Sequence, residues 1–577
     1  MTERNKKLII AAASFVLGLT VGLSGVAVIR RNTKPITVVK ATGVDTAADY
    51  DSVYKKIKAF KPNVRERISS WADGFNGAKS AVSANAGNEY ATAADTGYSE
   101  TNVQVKGVDE ADAVKTDGKF IHILNSDYSE SDKMYKTVIK TADIRSGEPV
   151  QLKSIVIDGF CAYEMYLNGG KLIIIGTEFT ESNAVKAVIY DTGNPDLPEK
   201  IQECTQSGSY SDSRIIDGKL YIISNFYIDA ESIERDNPET YVPALECKNY
   251  NGTVNADSIC FYNNCKLPEY TVISAYDIKD GSLVSTRSVL GGSSTVYAST
   301  KNIITSSYQQ DGKIQITRFS ADGGNIELAA SGELNGELLN QFSVDEYKDH
   351  FRFVLTDRNG EYTKNSLVIL DRDLKQTGAI TDIAKDEEVY SARFMGDTVY
   401  FVTFRQVDPL FSADVSDPTA PKITGSLKIP GFSNYLFPFG EGKLFGIGQN
   451  ADEKTGRTAG MKISMFDISN SADVTECAKT DLNAPYSEAL HNHKATLADA
   501  EKNLIGFPAY GGANNTVYYI FSFENGKFVK KAEINLPYIN SGCRGLYANG
   551  NFYIAASDKI YYSPLSELKD FKSSALK

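Results

Sequence analysis

The feature that most constrains this chain is a short element recurring nine times between residues 117 and 556: a turn, mostly rich in Gly, Asp or Asn, then an apolar strand. It reads DGKFIHIL (117–124), NGGKLIIIG (168–176), DGKLYIIS (217–224), STKNIITSS (299–307) and YKDHFRFVLT (347–356). It continues as MGDTVYFVTF (395–404), GEGKLFGIG (440–448), AEKNLIGFP (500–508) and ANGNFYIAA (548–556). A second strand follows, often ending in Asp, as in VKAVIYD (185–191), SLVILD (366–371) and KISMFDIS (462–469). A third then closes the unit, as in PKITGSLKI (421–429) and KFVKKAEINL (527–536). Alternating apolar, β-branched and aromatic residues between tight-turn residues specify antiparallel strands. The 33 Tyr and 27 Phe suit half-buried pleated surfaces.

With a preceding inner strand such as YSARF (390–394), each unit makes a four-stranded blade, and the units recur about every 50 residues. An open solenoid would need polar caps that the sequence does not show. A closed ring leaves only short edges. The expected fold class is therefore all-β, a large β-propeller of eight or nine four-stranded blades, over residues 101–568. The last unit, 544–564, lacks an evident outer strand, so Asn102–Val105 is expected to supply it and close the ring, leaving 569–577 as a tail. One segment, 226–268, breaks the rhythm inside the third unit. Long insertions of this kind are often functional, or else cover a blade edge. This one holds Cys247, Cys260 and Cys265, a candidate disulfide of unspecified pairing. No CxxC pair occurs, which argues against a thiolate zinc site.

Ahead of the repeats, Leu8–Ile29 is a run of 22 residues without a charge. As a helix it is about 33 Å long, enough to cross a bilayer. Residues 1–35 are therefore expected to form a cytoplasmic flank and a transmembrane signal-anchor. The repeats then lie outside the cytoplasm on a single-pass cell-membrane protein; secretion after signal cleavage is the alternative. Residues 36–100 are expected to be a linker, helical at 49–60 with Val53, Ile57 and Phe60 on one face, and flexible at 72–100, where Ala, Gly, Ser, Thr and Asn dominate.

The stretch TNVQVKGVDEADAVKTDG (101–118), which opens the repeats, also carries family identity. So do RFMGDTVYFVTFRQVDPLF (393–411), SDPTAPKITGSLKIPGFSNYL (416–436), MKISMFDIS (461–469) and SEALHNHKA (487–495). Through them the chain resembles bacterial and archaeal secreted or membrane-anchored proteins with a C-terminal β-propeller distantly related to WD repeats. That family is defined by architecture, and the resemblance implies no particular activity. Phe437 stands where a His is expected from the resemblance.

Candidate site residues fall into four sets. Asp109, Glu110 and Asp112 are carboxylates close enough to suit Ca²⁺, but the spacing is not an EF-hand loop, and turn chemistry at a strand end is the favoured explanation. No other cofactor is evident. Arg393, Arg405, Asp408 and Glu388 cluster near the sixth unit and suit either ligand recognition or a structural pair. His493, with His491, sits in the HNH sequence, and Asp345, Glu346 and His350 form another polar group. No nucleophile elbow, P-loop or dinucleotide fingerprint is present. The single Trp, at 71, argues against a quinoprotein dehydrogenase. A net charge of −12 excludes nucleic acid as the main partner. The expected function is binding of an envelope protein, peptide or wall glycan. The alternatives are an envelope-polymer hydrolase or lyase acting at the propeller mouth, and a structural scaffold.

Overall fold

The strands of the computed structural model, which describes residues 44–60, 97–178, 184–262, 267–309, 312–404, 408–452, 457–511 and 515–577, fall into nine sheets. The sheets follow one another along the chain at 114–158, 160–207, 209–290, 295–335, 337–383, 388–429, 432–481, 497–537 and 544–575. Each is built on four antiparallel strands, with additions at some edges. Leu8–Ile29, Trp71 and the flexible stretch expected before Gly97 lie outside the described residues, and no described helix is long and apolar enough to cross a membrane.

Burial sets the order within each sheet. The first strand of the ninth sheet, Arg544–Ala548, is buried at every position but Gly545. The fourth strand of the seventh, Thr475–Asp481, alternates between exposed and half-buried. First strands therefore line the axis and fourth strands face solvent. Apolar clusters seal neighbouring sheets: Ile139 and Ile155 pack with Phe160 and Met165 between the first and second. Val114, Ile121 and Ile123 pack with Leu546, Tyr553 and Ile560 between the first and ninth, which closes the ring.

The turn chemistry read from the sequence is visible at Asp117-Gly118. Asp117 Oδ1 accepts from the amides of Lys119 and Phe120, both at 2.9 Å. Gly118 has φ +80°, and a Cβ there would lie 2.7 Å from the Tyr98 ring, so only glycine fits.

Ring closure differs from the expectation. Asn102–Val105 forms no strand, and the ninth sheet carries its own outer strand, Lys572–Ala575, from the segment expected to be a tail. That strand reads KSSA and is mostly exposed, so no apolar alternation marked it. The segment ahead of the first sheet meets the ninth from the inside instead: Tyr98 is bridged to Ala548, and Ser99 N donates to Tyr547 O at 2.9 Å.

The insertion covers edges. Its hairpin, Ala244–Cys247 and Tyr250–Thr253, extends the second sheet beyond Glu199–Ser207. Its last strand, Ile259–Tyr262, runs parallel to the outer strand of the third sheet, and Val44–Thr46 adds beyond that. Coverage of this kind removes unpaired edges. The expected leader helix spans Tyr50–Lys58, capped by Asp49, whose side chain accepts from Ser52 N. Val53 and Ile57 are buried in one apolar cluster with Tyr241, Val242, Leu245 and Val254 of the insertion. Tyr50 donates to Val254 O at 3.1 Å, and Arg235 pairs with Asp51 at 2.6 Å. This part of the leader is docked rather than a free tether.

His122 is buried in the first sheet, its Nδ1 3.0 Å from Thr141 Oγ1. Burial pulls its pKa down to about 4, against a weaker upward pull from Asp117. The unfolded chain takes up this proton near pH 6.5, so the stability tied to neutral His122 is whole above that value and is lost as pH falls toward 4. The loss reaches about 3 kcal/mol. Chemical denaturation across pH 7 to 4 is expected to show a shallower pH slope for His122→Gln than for the wild type; equal slopes would remove His122 from the acid response.

Candidate functional site

Residues 98–113, which carry most of the family-like opening sequence, touch the ring from inside at five sheets. Beyond the contact with the ninth, Asn102 Nδ2 donates to Thr496 O at 2.5 Å, just before the eighth sheet. Gln104 Nε2 donates to Gln341 O at 3.0 Å and Val344 O at 3.2 Å in the fifth. Val108–Asp109 pairs with Ile215 and Ile216 of the third. Asp112 is bridged to Met165 of the second. A segment that meets inner strands on so many sides crosses the axis, so these residues form a plug in the central channel.

The plug brings charge into the core. Arg544 Nε donates to both Asp112 oxygens, at 3.1 and 3.0 Å, and Nη2 donates to Asp112 Oδ1 at 2.9 Å. Arg544 Nη1 donates to Glu488 Oε1 at 3.0 Å. Lys115 Nζ donates to Glu110 O at 2.5 Å and Asp109 Oδ1 at 3.0 Å. Lys494 pairs with Glu164 at 2.5 Å, and Arg214 pairs with Asp212 and with the amide oxygen of Gln341. His493 Nε2 lies 3.5 Å from Glu110 Oε2. Glu110, Asp112, Glu488, Arg214, His493 and Arg544 are all buried. Burial alone would raise the Glu110 carboxyl, but Arg214 and His493 overcome it and hold the group well below the usual carboxylate range. Burial pushes His493 the other way, toward the neutral imidazole, against the pull of Glu110. A polar cleft of about 450 Å³, counting solvent at its mouth, opens beside the plug between Asn102, Thr116, Lys494, Thr496 and Arg544. Its charged groups at the axis are already matched: Arg544 to Asp112 and Glu488, Lys494 to Glu164.

The expected sites are distributed differently. Asp109, Glu110 and Asp112 do not converge, because Lys115, Arg214 with His493, and Arg544 draw them apart, and among the described residues no group of three His, Cys, Asp or Glu side chains is placed to hold a metal ion. His493 belongs to the plug network, whereas its neighbour His491 bonds Tyr486 OH through Nδ1 at 2.7 Å. Arg393 is buried near Asp345, burial pulls its pKa down to about 9, and its Nε and Nη1 have no hydrogen-bond partner among the described residues. Glu388 instead pairs with Arg358, at 2.8 Å. Arg405 and the Asp408 side chain lie outside the described residues. Asp345 pairs with Arg352, its Oδ2 accepting from Nε at 2.9 Å; Glu346 accepts from Ser299 and Asn302, and His350 Nδ1 contacts Lys348 O at 2.9 Å. Phe437 is buried beside Tyr435 in an apolar cluster.

The cysteines of the insertion lie in different sheets. Cys247 is in the hairpin on the second sheet, where the pairing of Thr205 with Glu246 sets it across from Cys204. Cys260 is on the edge of the third, 3.7 Å from Thr46 Oγ1. Both thiols are free, and Cys265 lies outside the described residues.

The opposite of a buried network is found at one end of the ring. Antiparallel order puts the start of each first strand, the hairpin between second and third strands, and the end of each fourth strand on one face. All six described tyrosines exposed by more than 40% sit on this hairpin face: Tyr128, Tyr163, Tyr227, Tyr308, Tyr486 and Tyr538. Composition alone could not single them out among 33 tyrosines, since strand position decides which are exposed. Arg214, Glu488 and Arg544 were equally hidden, each being an ordinary charge until its partner is known.

Removing Asp112 leaves Arg544 buried with half its partners, so Asp112→Ala is expected to lower stability by about 3–5 kcal/mol. Asp109→Ala is expected to cost about 1 kcal/mol or less, because that carboxylate is partly solvated and Lys115 keeps its bond to Glu110 O. Urea unfolding of the two variants checks the order; equal losses would contradict the axial assignment.

Comparison with known proteins agrees with this architecture. The chain matches the family described as Beta propeller domain over residues 98–574. The uncharacterized protein MJ1554 of Methanocaldococcus jannaschii is 28% identical over 545 residues, covering 80% of this chain and 81% of that one. An uncharacterized protein of Archaeoglobus fulgidus is 28% identical over 613 residues, covering 91% and 93%. Among solved structures, the acylaminoacyl peptidase of Pyrococcus horikoshii aligns at TM-score 0.30 and 13% identity over 71% of this chain, which spans 57% of that peptidase. The β-propeller domain of the Trilobed protease from Pyrococcus furiosus aligns at TM-score 0.31 and 12% identity over 66% of this chain and 98% of that one. Likeness at that level fixes neither the site nor its chemistry. The family match spans most of the chain and coincides with the ring of sheets and its plug: this chain belongs to the Beta propeller domain family.

Proposed function

We propose that the protein is a binding module of the cell envelope, anchored in the membrane through Leu8–Ile29, that recognises its ligand on the hairpin face. The observation that carries this reading is the gathering of the six exposed tyrosines on that face. Aromatic side chains present large, stiff, amphipathic surface and are enriched where proteins bind one another or small ligands. The enzymatic alternative draws on the convergence of Glu110, Asp112, Glu488 and His493 at the axis. General acid–base work needs a group that reaches substrate with a proton to give or take. Here all four groups are buried, and Asp112 and Glu488 are paired with Arg544, which weighs against catalysis there.

Capture of envelope components by the full chain is expected to fall at least tenfold for the triple variant Tyr128→Ala/Tyr163→Ala/Tyr308→Ala. It is expected to be unchanged for Leu197→Ala, an exposed apolar residue in the turn between third and fourth strands, at the other end of the ring. Equal capture by both would contradict the assignment of the face. Removal of residues 8–29 is expected to move the protein from the membrane to the soluble fraction; retention in the membrane would contradict the anchor.

A further inference from the structure

Two buried thiols face each other where the insertion joins the ring. In the register that pairs Thr205 with Glu246 and Gln206 with Leu245, the next opposed pair is Cys204 with Cys247. Both side chains lie on the same side of the sheet, in the apolar cluster that also holds Leu245 and Tyr276. Both reach toward one turn of the third sheet. Cys204 Sγ donates to Gly281 O at 3.3 Å. Cys247 Sγ donates to Asn249 Oδ1 at 3.4 Å, and that oxygen accepts from Leu283 N at 2.7 Å. Among the described cysteines no other two lie opposite each other on paired strands: Cys161 is on the inner strand of the second sheet, Cys260 on the edge of the third, Cys477 in the seventh and Cys543 just ahead of the ninth.

We propose that Cys204 and Cys247 form a cross-strand disulfide that staples the insertion's hairpin to the second sheet. Opposed residues of an antiparallel pair have Cα atoms about 4.5 to 5.5 Å apart, inside the range of about 4.4 to 6.8 Å that a disulfide spans. The staple falls where pairing is sparse. The hairpin, Ala244–Cys247 and Tyr250–Thr253, meets Glu199–Ser207 through two residue pairs, and the leader helix leans on the same cluster through Val53 and Ile57. The chemistry is thiol–disulfide exchange, with a small-molecule disulfide or a dithiol oxidoreductase as oxidant. The Cys247 thiolate attacks the oxidant's disulfide, which forms a mixed disulfide and releases one oxidant thiolate. The Cys204 thiolate then attacks Cys247 Sγ, which forms the Sγ–Sγ bond and releases the second. Two electrons pass to the oxidant, and the two cysteine protons end on its sulfurs. Cys247 reacts first because it sits at the end of the hairpin, 8% exposed against 1% for Cys204. Burial raises the Cys204 thiol well above its usual range, and Cys247 beside it adds to that, so exchange runs while the hairpin is open rather than docked.

The test is a peptide mass map of the detergent-solubilised full chain. The chain is equilibrated with oxidised and reduced glutathione in urea below the unfolding transition, and remaining thiols are blocked with N-ethylmaleimide. A peptide containing Cys204 is expected to be linked to one containing Cys247 in the wild type and in Cys260→Ser, and the link is expected to be lost in Cys204→Ser and in Cys247→Ser. Amide hydrogen exchange of residues 244–253 is expected to be about tenfold slower in the oxidised chain than in the reduced one. Recovery of both cysteines as blocked thiols or glutathione adducts, or of Cys247 linked to Cys260 or Cys265, would overturn the pair. A Cys204–Cys247 link with unchanged exchange in the hairpin would overturn the staple. None of these readouts involves the anchor or a ligand of the hairpin face, so this inference and the binding reading stand or fall separately.

Discussion

The forked pair between Arg544 and Asp112 joins residues 432 positions apart, and the architecture depends on it. A ring of sheets has to hold its first and last units together. Here apolar packing between the first and ninth sheets does part of this, and the axial plug does the rest through a buried charge. A buried guanidinium is tolerated only where its donors are met, and Asp112 with Glu488 meets those of Arg544. The same plug carries Glu110 to Arg214 and His493 and Gln104 to the fifth sheet, so one segment ties opposite sides of the ring.

Edges are managed by a second device. The insertion in the third unit lays strands along the outer edges of the second and third sheets, and the leader docks on it through Val53 and Ile57. What looked in the sequence like an excursion from the repeat is therefore a platform, and the helix before the propeller is part of the folded body.

Much of the ring was legible because its information is local. Asp117-Gly118 states a turn, and FIHIL after it is the short apolar run of a buried strand, so nine such elements predict a repeat without knowledge of any contact. The outer strand Lys572–Ala575 was not legible, since it has little to bury and therefore no apolar pattern. TNVQV has the right residues for a strand, but the outer edge of the ninth sheet that it would fill is taken by Lys572–Ala575, which no local pattern near residue 101 encodes. Whether Glu110 and Asp112 converge on a metal or serve the local structure is not written in their proximity, because the groups that separate them, Arg214, His493 and Arg544, lie far along the chain.

The axial plug also orders events in time. Asp112 leaves the ribosome more than four hundred residues before Arg544, and until the ninth sheet arrives its carboxylate lacks the cation it pairs with. The inner strands of the early sheets can form as they emerge, but the channel cannot be sealed until the chain is almost complete. Contacts of such long sequence separation form late and slowly. A growing or truncated chain is thus an open arc with a charged, solvated lumen, and conversion to a sealed ring is a single terminal step that reports that both ends of the domain are present.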